Sequence, residues 1–370
     1  MKEISLYLHI PFCKTKCSYC NFCVIPEFEA MDNWKNNYTD ALIQDIEDKK
    51  DFFLSRKIKT IYLGGGTPSE LWWENTKRLV LFLQSNLDLS NLEEFSIEIN
   101  PDLEDDLIAY IKNLQSMIKS RLRFSFGIQS LDNKVLQKAG RNYNREYIYD
   151  FLDKIKEIKQ DNNIYNLDFI SFGVEDLSIM EDFISKYNSC IDSLSIYTLE
   201  LFPGSVWYDT YQTNEDKIMD NFSKYLKLAK HHAYNRYEIS NFAKEWKESI
   251  HNQVYWFGWE YIWFGISASS FVWSTRYTNA SNIQDYFKGK LQLSESLDLL
   301  QKDLDTDSIF LWLRTSEWVD YNLVLKYSDV SKLQEYIEGK YLEIKRKKLK
   351  FTDKGFDIYN YIITELLEFD

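Results

Sequence analysis

The sequence predicts an α/β fold, a parallel barrel of strand–helix units followed by a smaller, mainly helical module. Three observations carry this expectation. Short β-branched or aromatic runs recur through roughly the first 200 residues, each followed by a stretch with helical spacing, the pattern of parallel βα units. Small and polar residues gather at the ends of those runs, where a parallel barrel collects its functional groups. From about Ser294 the chain reads as helical and amphipathic, with Ile309, Leu311 and Leu313 followed by Tyr321 to Tyr327.

Six runs are candidate strands: Ile4 to Ile10, Thr60 to Leu63, Phe95 to Ile99, Arg123 to Ile128, Leu167 to Phe172 and Ser193 to Leu199. Between the first two, Trp34, Tyr38, Leu42 and Ile46 recur every four residues, which predicts a helix with one buried face. The 370 residues suffice for one large α/β domain and a smaller companion. With 24 Phe, 26 Tyr and 11 Trp, aromatic rings dominate the core and suit a pocket for a flat ligand. A formal net charge of −13 disfavours nucleic acid as a partner. No stretch approaches the roughly 20 apolar residues that span a bilayer, which leaves only peripheral contact with a membrane open.

The chemistry is narrowed most by Cys13, Cys17 and Cys20, a C-x3-C-x2-C array directly after the first strand. Three thiolates can hold three corners of an iron–sulfur cube and leave its fourth iron open to a small molecule. Cys23 and Cys190 bring the count to five, and the N-terminus lacks the apolar core of a signal peptide, so a disulfide framework is disfavoured and a cytoplasmic setting expected. The rival reading is a zinc site closed by Cys23 as fourth ligand. Otherwise Cys23 is a small buried hydrophobe, as is Cys190.

The companions favour the cluster. Gly64, Gly65, Gly66 and Thr67 follow the second strand, where absent β-carbons let backbone approach a ligand, and without a Gly-Lys-Ser/Thr ending this is not a nucleotide triphosphate loop. Glu98 and Asp168 interrupt apolar strands with charge, which needs a partner such as an ammonium or ribose hydroxyls. Gln129 ends the fourth strand and Arg141 follows one helix later. A structural zinc knot needs none of these.

Tyr7-Leu8-His9-Ile10-Pro11-Phe12-Cys13, the cysteine spacing, Gly64 to Ser69, Glu98 to Pro101, Gly127 to Ser130 and Asp168, in this order, resemble the radical S-adenosylmethionine superfamily. Within it the chain is most similar to the oxygen-independent coproporphyrinogen III oxidase family and its heme chaperone branch. The resemblance implies a partial (βα)6 TIM-type barrel over 1–230, a family-specific extension over 231–293 and a winged-helix-like module over 294–370. It implies a 4Fe-4S cluster on Cys13, Cys17 and Cys20, and S-adenosylmethionine held by Tyr7, Tyr19, Gly65, Gly66, Thr67, Glu98, Gln129, Arg141 and Asp168. An electron donor for the cluster follows from the same resemblance.

Tyr237 to Ala243 and His251-Asn252-x-x-Tyr255-Trp256 match a signature of the chaperone branch. That implies heme as ligand, a heme-accepting protein as partner and His251 as a heme ligand among Trp246, Tyr255, Trp256, Trp259, Tyr261 and Trp263. His231-His232 closes a helical segment and is expected to cap its carbonyls. The oxidase branch carries an N-terminal extension, whereas the first strand here begins at Ile4, so heme binding is expected over oxidative decarboxylation of coproporphyrinogen. Three departures stand out: Asp168 to Val174 lacks the family's proline, Gly265 to Ser270 lacks its histidine, and Cys23 lies three residues after Cys20 rather than two. Leu349 to Gly355 resembles a wing, and the run Lys345 to Lys348 reads as a solvated turn rather than a nucleic-acid contact.

Overall fold

The computed structural model describes residues 2–31, 33–101, 106–290 and 292–367. All six expected strands form: β1 (Glu3–Ile10), β2 (Lys57–Gly65), β3 (Glu94–Ile99), β4 (Arg121–Gln129), β5 (Ile164–Ser171) and β6 (Ser193–Thr198). They pair in sequence order and in parallel. Helices α1 (Trp34–Asp48), α2 (Trp73–Asn86), α3 (Leu107–Met117), α4 (Asn133–Lys138), α5 (Arg145–Ile158), α6 (Leu177–Tyr187) and α7 (Glu215–His231) alternate with them. Tyr38, Leu42 and Ile46 of α1 are buried and Trp34 is half-buried, so the four-residue spacing marks the face laid on the sheet.

The sheet is longer than six strands. β7 (Asn235–Arg236) and β8 (Asn241–Ala243) extend it antiparallel beyond β6. On the other side β9 (Tyr261–Phe264) lies parallel to β1 as a seventh parallel strand, followed by antiparallel β10 (Ser269–Val272), β11 (Thr275–Asn279) and β12 (Leu293–Asp298). The order β12-β11-β10-β9-β1-β2-β3-β4-β5-β6-β8-β7 is open at both ends, as a partial barrel requires. The helical reading from Ser294 is corrected here. Leu293–Asp298 pairs antiparallel with β11 and forms the exposed edge strand β12, and helix begins only at Gln301.

Side-chain parity divides the barrel strands. Leu6, Leu8 and Ile10 face the helices in a core that draws on residues from Ile4 to Tyr286, whereas Ser5, Tyr7 and His9 face inward. A second core, from Ile309 to Leu367, unites helix α9 (Gln301–Leu313) with a three-stranded sheet and four later helices. In that sheet Leu342–Lys345 and Lys348–Phe351 form a hairpin turned at Arg346 and Lys347, both with left-handed backbone. The wing is therefore Leu342 to Phe351, upstream of the stretch expected from sequence, and the basic run is its exposed turn. No described helix is long and apolar enough to cross a membrane.

Candidate active site

A cavity of about 1120 Å³ opens at the C-terminal ends of the parallel strands, and every expected site residue except Tyr7 and His251 lines it. Cys13, Cys17 and Cys20 stand on a loop that leaves β1 and is pinned at several points. The Ile25 amide donates to the Pro11 carbonyl (2.7 Å), Ser18 N to Ala139 O (3.0 Å) and Trp207 N to Ser18 O (2.9 Å). Cys20 N donates to Cys17 O at 3.0 Å, a tight turn that brings the two thiols together. Burial pushes the Cys13 thiol up to about 12 and raises that of Cys20, and each neighbouring thiol adds to the cost of ionisation. Three thiols lining one cavity, Cys13 and Cys20 desolvated, fit a ligand set that is completed by metal charge. Cys23 packs against the hydrophobic core and stands outside the cavity lining, while its carbonyl is bound to His9 Nε2 at 3.0 Å.

The glycine loop locks onto the cysteine loop through its backbone: Gly66 N donates to Ile10 O (2.8 Å) and Thr67 N to Phe12 O (2.7 Å). A β-carbon on Gly66 would meet those carbonyls at 2.8 and 2.7 Å, and one on Gly65, whose φ is +111°, would sit 2.4 Å from the His9 ring. Thr67 Oγ1 donates to Cys13 Sγ at 3.6 Å.

Strand register sets the carboxylates side by side. Glu98 of β3 is level with Ser125 of β4, and Asp168 of β5 is level with Gly127 and Ser195. Glu98 accepts from the Tyr62 hydroxyl (2.9 Å) and the Gly65 amide (3.0 Å), yet desolvation, with Asp168 nearby, pushes its carboxyl up to about 7. Asp168 accepts from Ser125 Oγ (2.8 Å) and Asn166 Nδ2 (2.7 Å) and is also raised by desolvation. Gln129 closes β4 beyond a bulge, with a φ of +66°. Arg141 donates to Tyr19 Oη (2.7 Å) and to Asn100, while its buried Nε finds no partner among the described residues. Two poorly solvated carboxyls and a donor with spare capacity form a cradle for a ligand carrying both cationic and polar groups.

Two expected site residues lie elsewhere. Tyr7 is 8% exposed and stacks between Trp263 (4.0 Å) and Tyr62 (5.6 Å) on the inner face, below the cavity floor. His251 is 0% exposed, in helix α8 (Ile250–Trp256), with Nδ1 2.7 Å from Thr60 Oγ1 and Nε2 2.6 Å from Tyr255 Oη. Burial pushes its imidazole down to about 3, so it is neutral. Both nitrogens are engaged inside the barrel, and direct ligation of heme by His251 does not fit this arrangement. His231 and His232 close α7 as expected: the His232 amide donates to the Leu228 (3.1 Å) and Ala229 (3.2 Å) carbonyls, while its Nε2 pairs with Glu181 at 2.9 Å.

Sequence reasoning missed the outer wall, to which Met219, Phe222, Arg236 and Ile239 contribute from the end of the barrel and Arg314 and Phe356 to Tyr361 from the C-terminal module. Only contact across some 100 residues brings these together, so no local pattern announces them.

The chain matches the radical SAM superfamily family model over residues 7–182. It is 30% identical to a heme chaperone HemW of Lactococcus lactis over 99% of this chain and 98% of that one. It is 33% identical to one of Buchnera aphidicola from Schizaphis graminum over 82% and 80%. Its fold superimposes on coproporphyrinogen III oxidase HemN of Escherichia coli, a radical SAM enzyme, with a TM-score of 0.81 at 20% identity over 98% of this chain and 89% of that one. Open parallel barrel, three-cysteine loop, glycine cradle and full-length likeness agree: the chain belongs to the HemW family of radical SAM proteins.

Proposed function

We propose that this protein is a heme chaperone that binds heme in the outer half of the cavity and passes it to an acceptor protein. The observation that carries this reading is the size and division of the cavity. At about 1120 Å³ it exceeds the ~300–1,000 Å³ usual for one small ligand. Its inner end carries the thiols, glycines and carboxyls, and its outer wall is apolar, with Met219, Phe222, Ile239 and Phe356 beside Arg236 and Arg314. A flat macrocycle suits the apolar side chains of that wall, and its carboxylates would meet Arg236 and Arg314 in competition with Asp357 (3.3 Å) and Glu238 (3.8 Å).

In this reading Cys13, Cys17 and Cys20 hold a 4Fe-4S cluster, and Tyr19, Gly65, Gly66, Thr67, Glu98, Gln129, Arg141 and Asp168 hold S-adenosylmethionine. When bound, the cluster supplies one-electron reduction of the sulfonium cofactor, fed by an electron donor. The protein's own part is to seat the adenosyl group and keep water from it. The chain then divides into a barrel core over 1–230, an extension over 231–293 that continues into β12, and the C-terminal module. The setting is a reducing cytoplasm.

Hemin titration of the reconstituted protein is expected to give a saturable Soret shift, and the loaded protein to pass heme to apomyoglobin as a test acceptor. Ile239→Glu, which sets a charge in the apolar wall, is expected to weaken hemin binding at least about tenfold. Exposed Leu81→Glu should leave it unchanged. No saturable shift, or equal binding by Ile239→Glu, overturns the reading.

The state of Glu98 gives a second test. Because burial pushes its carboxyl up to about 7, it is protonated below that pH and must lose a proton to meet a cation. S-adenosylmethionine affinity is therefore expected to fall by up to about tenfold per pH unit below pH 7. Glu98→Gln should bind weakly with no such slope, and a wild-type affinity that is flat from pH 7.5 to 5.5, by calorimetry, excludes contact of Glu98 with a cationic group.

A further inference from the structure

We propose that His251 is a positioning residue for the cofactor site, setting Tyr62 so that its hydroxyl holds Glu98 against the Gly65 amide, and that it is not an axial ligand of heme. The hydrogen bonds fix the tautomer. Thr60 Oγ1 gives its own proton to Ser5 Oγ (2.8 Å), so at its contact with His251 it accepts, and Nδ1 carries the hydrogen. Tyr255 Oη accepts from Trp263 Nε1 (3.1 Å) and donates to His251 Nε2 (2.6 Å). Ligation of iron requires a free lone pair on one ring nitrogen. Here one nitrogen is protonated and the other's lone pair is taken by a phenol inside a fully buried cluster, so neither is available.

The same ring does have a route to the cavity. It packs against Tyr62 at 4.9 Å between centroids, and Tyr62 leans on Tyr7, which stacks on Trp263. The Tyr62 ring is thus held from two sides by one closed aromatic set whose polar corners are Thr60, His251 and Tyr255. Tyr62 Oη donates to Glu98 Oε1 at 2.9 Å, and Glu98 Oε2 takes the Gly65 amide at 3.0 Å. Removing the imidazole leaves a void behind Tyr62 into which the phenol can swing, and Glu98 then loses the donor that aims it.

The inference rests on Glu98 belonging to the cofactor site, and a double-mutant cycle with two readouts tests it. The first readout is hydrogen exchange at the Gly65 amide, which needs no cofactor. His251→Ala and Tyr62→Phe are each expected to speed that exchange about tenfold, and the double variant no more than either alone. The second is S-adenosylmethionine affinity of the cluster-reconstituted protein, with the same non-additive loss of about tenfold. His251→Gln can donate to Thr60 and accept from Tyr255, and should restore most of both; His251→Leu replaces the alanine variant in the cycle if the latter does not fold. The ferric heme spectrum should keep its axial ligation in all of them. Additive effects, unchanged Gly65 exchange, or loss of a nitrogen-ligated heme signature in His251→Gln with cofactor affinity intact overturn the proposal. A wild-type protein that binds no S-adenosylmethionine refutes the cofactor assignment instead, and Gly65 exchange still decides the role of His251.

Discussion

Replacement of any one of Cys13, Cys17 and Cys20 by alanine is expected to reduce cluster iron from about four per chain to background after anaerobic reconstitution. Cys23→Ala should retain it. The geometry gives the asymmetry a cause. The three thiols line the cavity from one pinned loop, so each would hold a separate corner, and no other thiol stands within the lining. Cys23 lies beyond them, packed on the core and tied down by the bond from His9 to its carbonyl. Recruiting it would mean breaking that bond and turning the loop inside out. Iron, acid-labile sulfide and zinc measured on all four variants decide the matter. Zinc in place of iron, or a cluster lost in Cys23→Ala, would make this a four-thiol site, and the open coordination position that defines the radical SAM reading would vanish.

The inner end of this site was legible in the sequence because it stands at strand ends. Cys13, Gly65, Glu98 and Gln129 each close or follow a run of β-branched and aromatic residues, and a parallel barrel carries all such ends to one face. Tyr7 belongs to the same motif as Cys13 yet lies three residues below Ile10, about 10 Å down the strand, which takes it under the cavity floor. The surroundings of His251 were not legible for a related reason. An imidazole among many aromatic rings suits a heme pocket and a filled core equally, and what distinguishes them is the pair of hydrogen-bond partners, Tyr255 one helical turn on and Thr60 from a strand 191 residues earlier. The seventh parallel strand, Tyr261–Phe264, is as apolar as the other six, but it pairs with a strand some 250 residues earlier. Local periodicity has no means to announce that neighbour.

Glu94→Gln is expected to cost about 3–5 kcal/mol of stability at neutral pH, the usual consequence of removing one partner from a buried ion pair. Glu94 opens β3 at 0% exposure and gathers donors from three directions: Arg121 Nη2 (2.6 Å) and Nε (3.2 Å), Ser96 Oγ (3.0 Å), and the His251 amide at the start of α8 (3.0 Å). Burial alone would raise the carboxyl, but Arg121, Arg123 and the His251 amide outweigh it and hold it below the ordinary carboxylate range. Gln keeps the shape but loses the charge, turns an amide toward those donors and leaves Arg121 uncompensated. At roughly 2–4 °C per kcal/mol for a large domain, the unfolding midpoint should drop on the order of 10 °C. The pH dependence separates charge from packing. A carboxyl depressed in the folded state contributes stability above its unfolded value, and that contribution is lost as pH falls through the folded value. The gap between wild type and Glu94→Gln is therefore expected to be full at pH 7 and to close toward pH 3, read by denaturant unfolding across that range. A gap that stays constant over it would assign Glu94 to packing alone and free α8 from dependence on this buried charge.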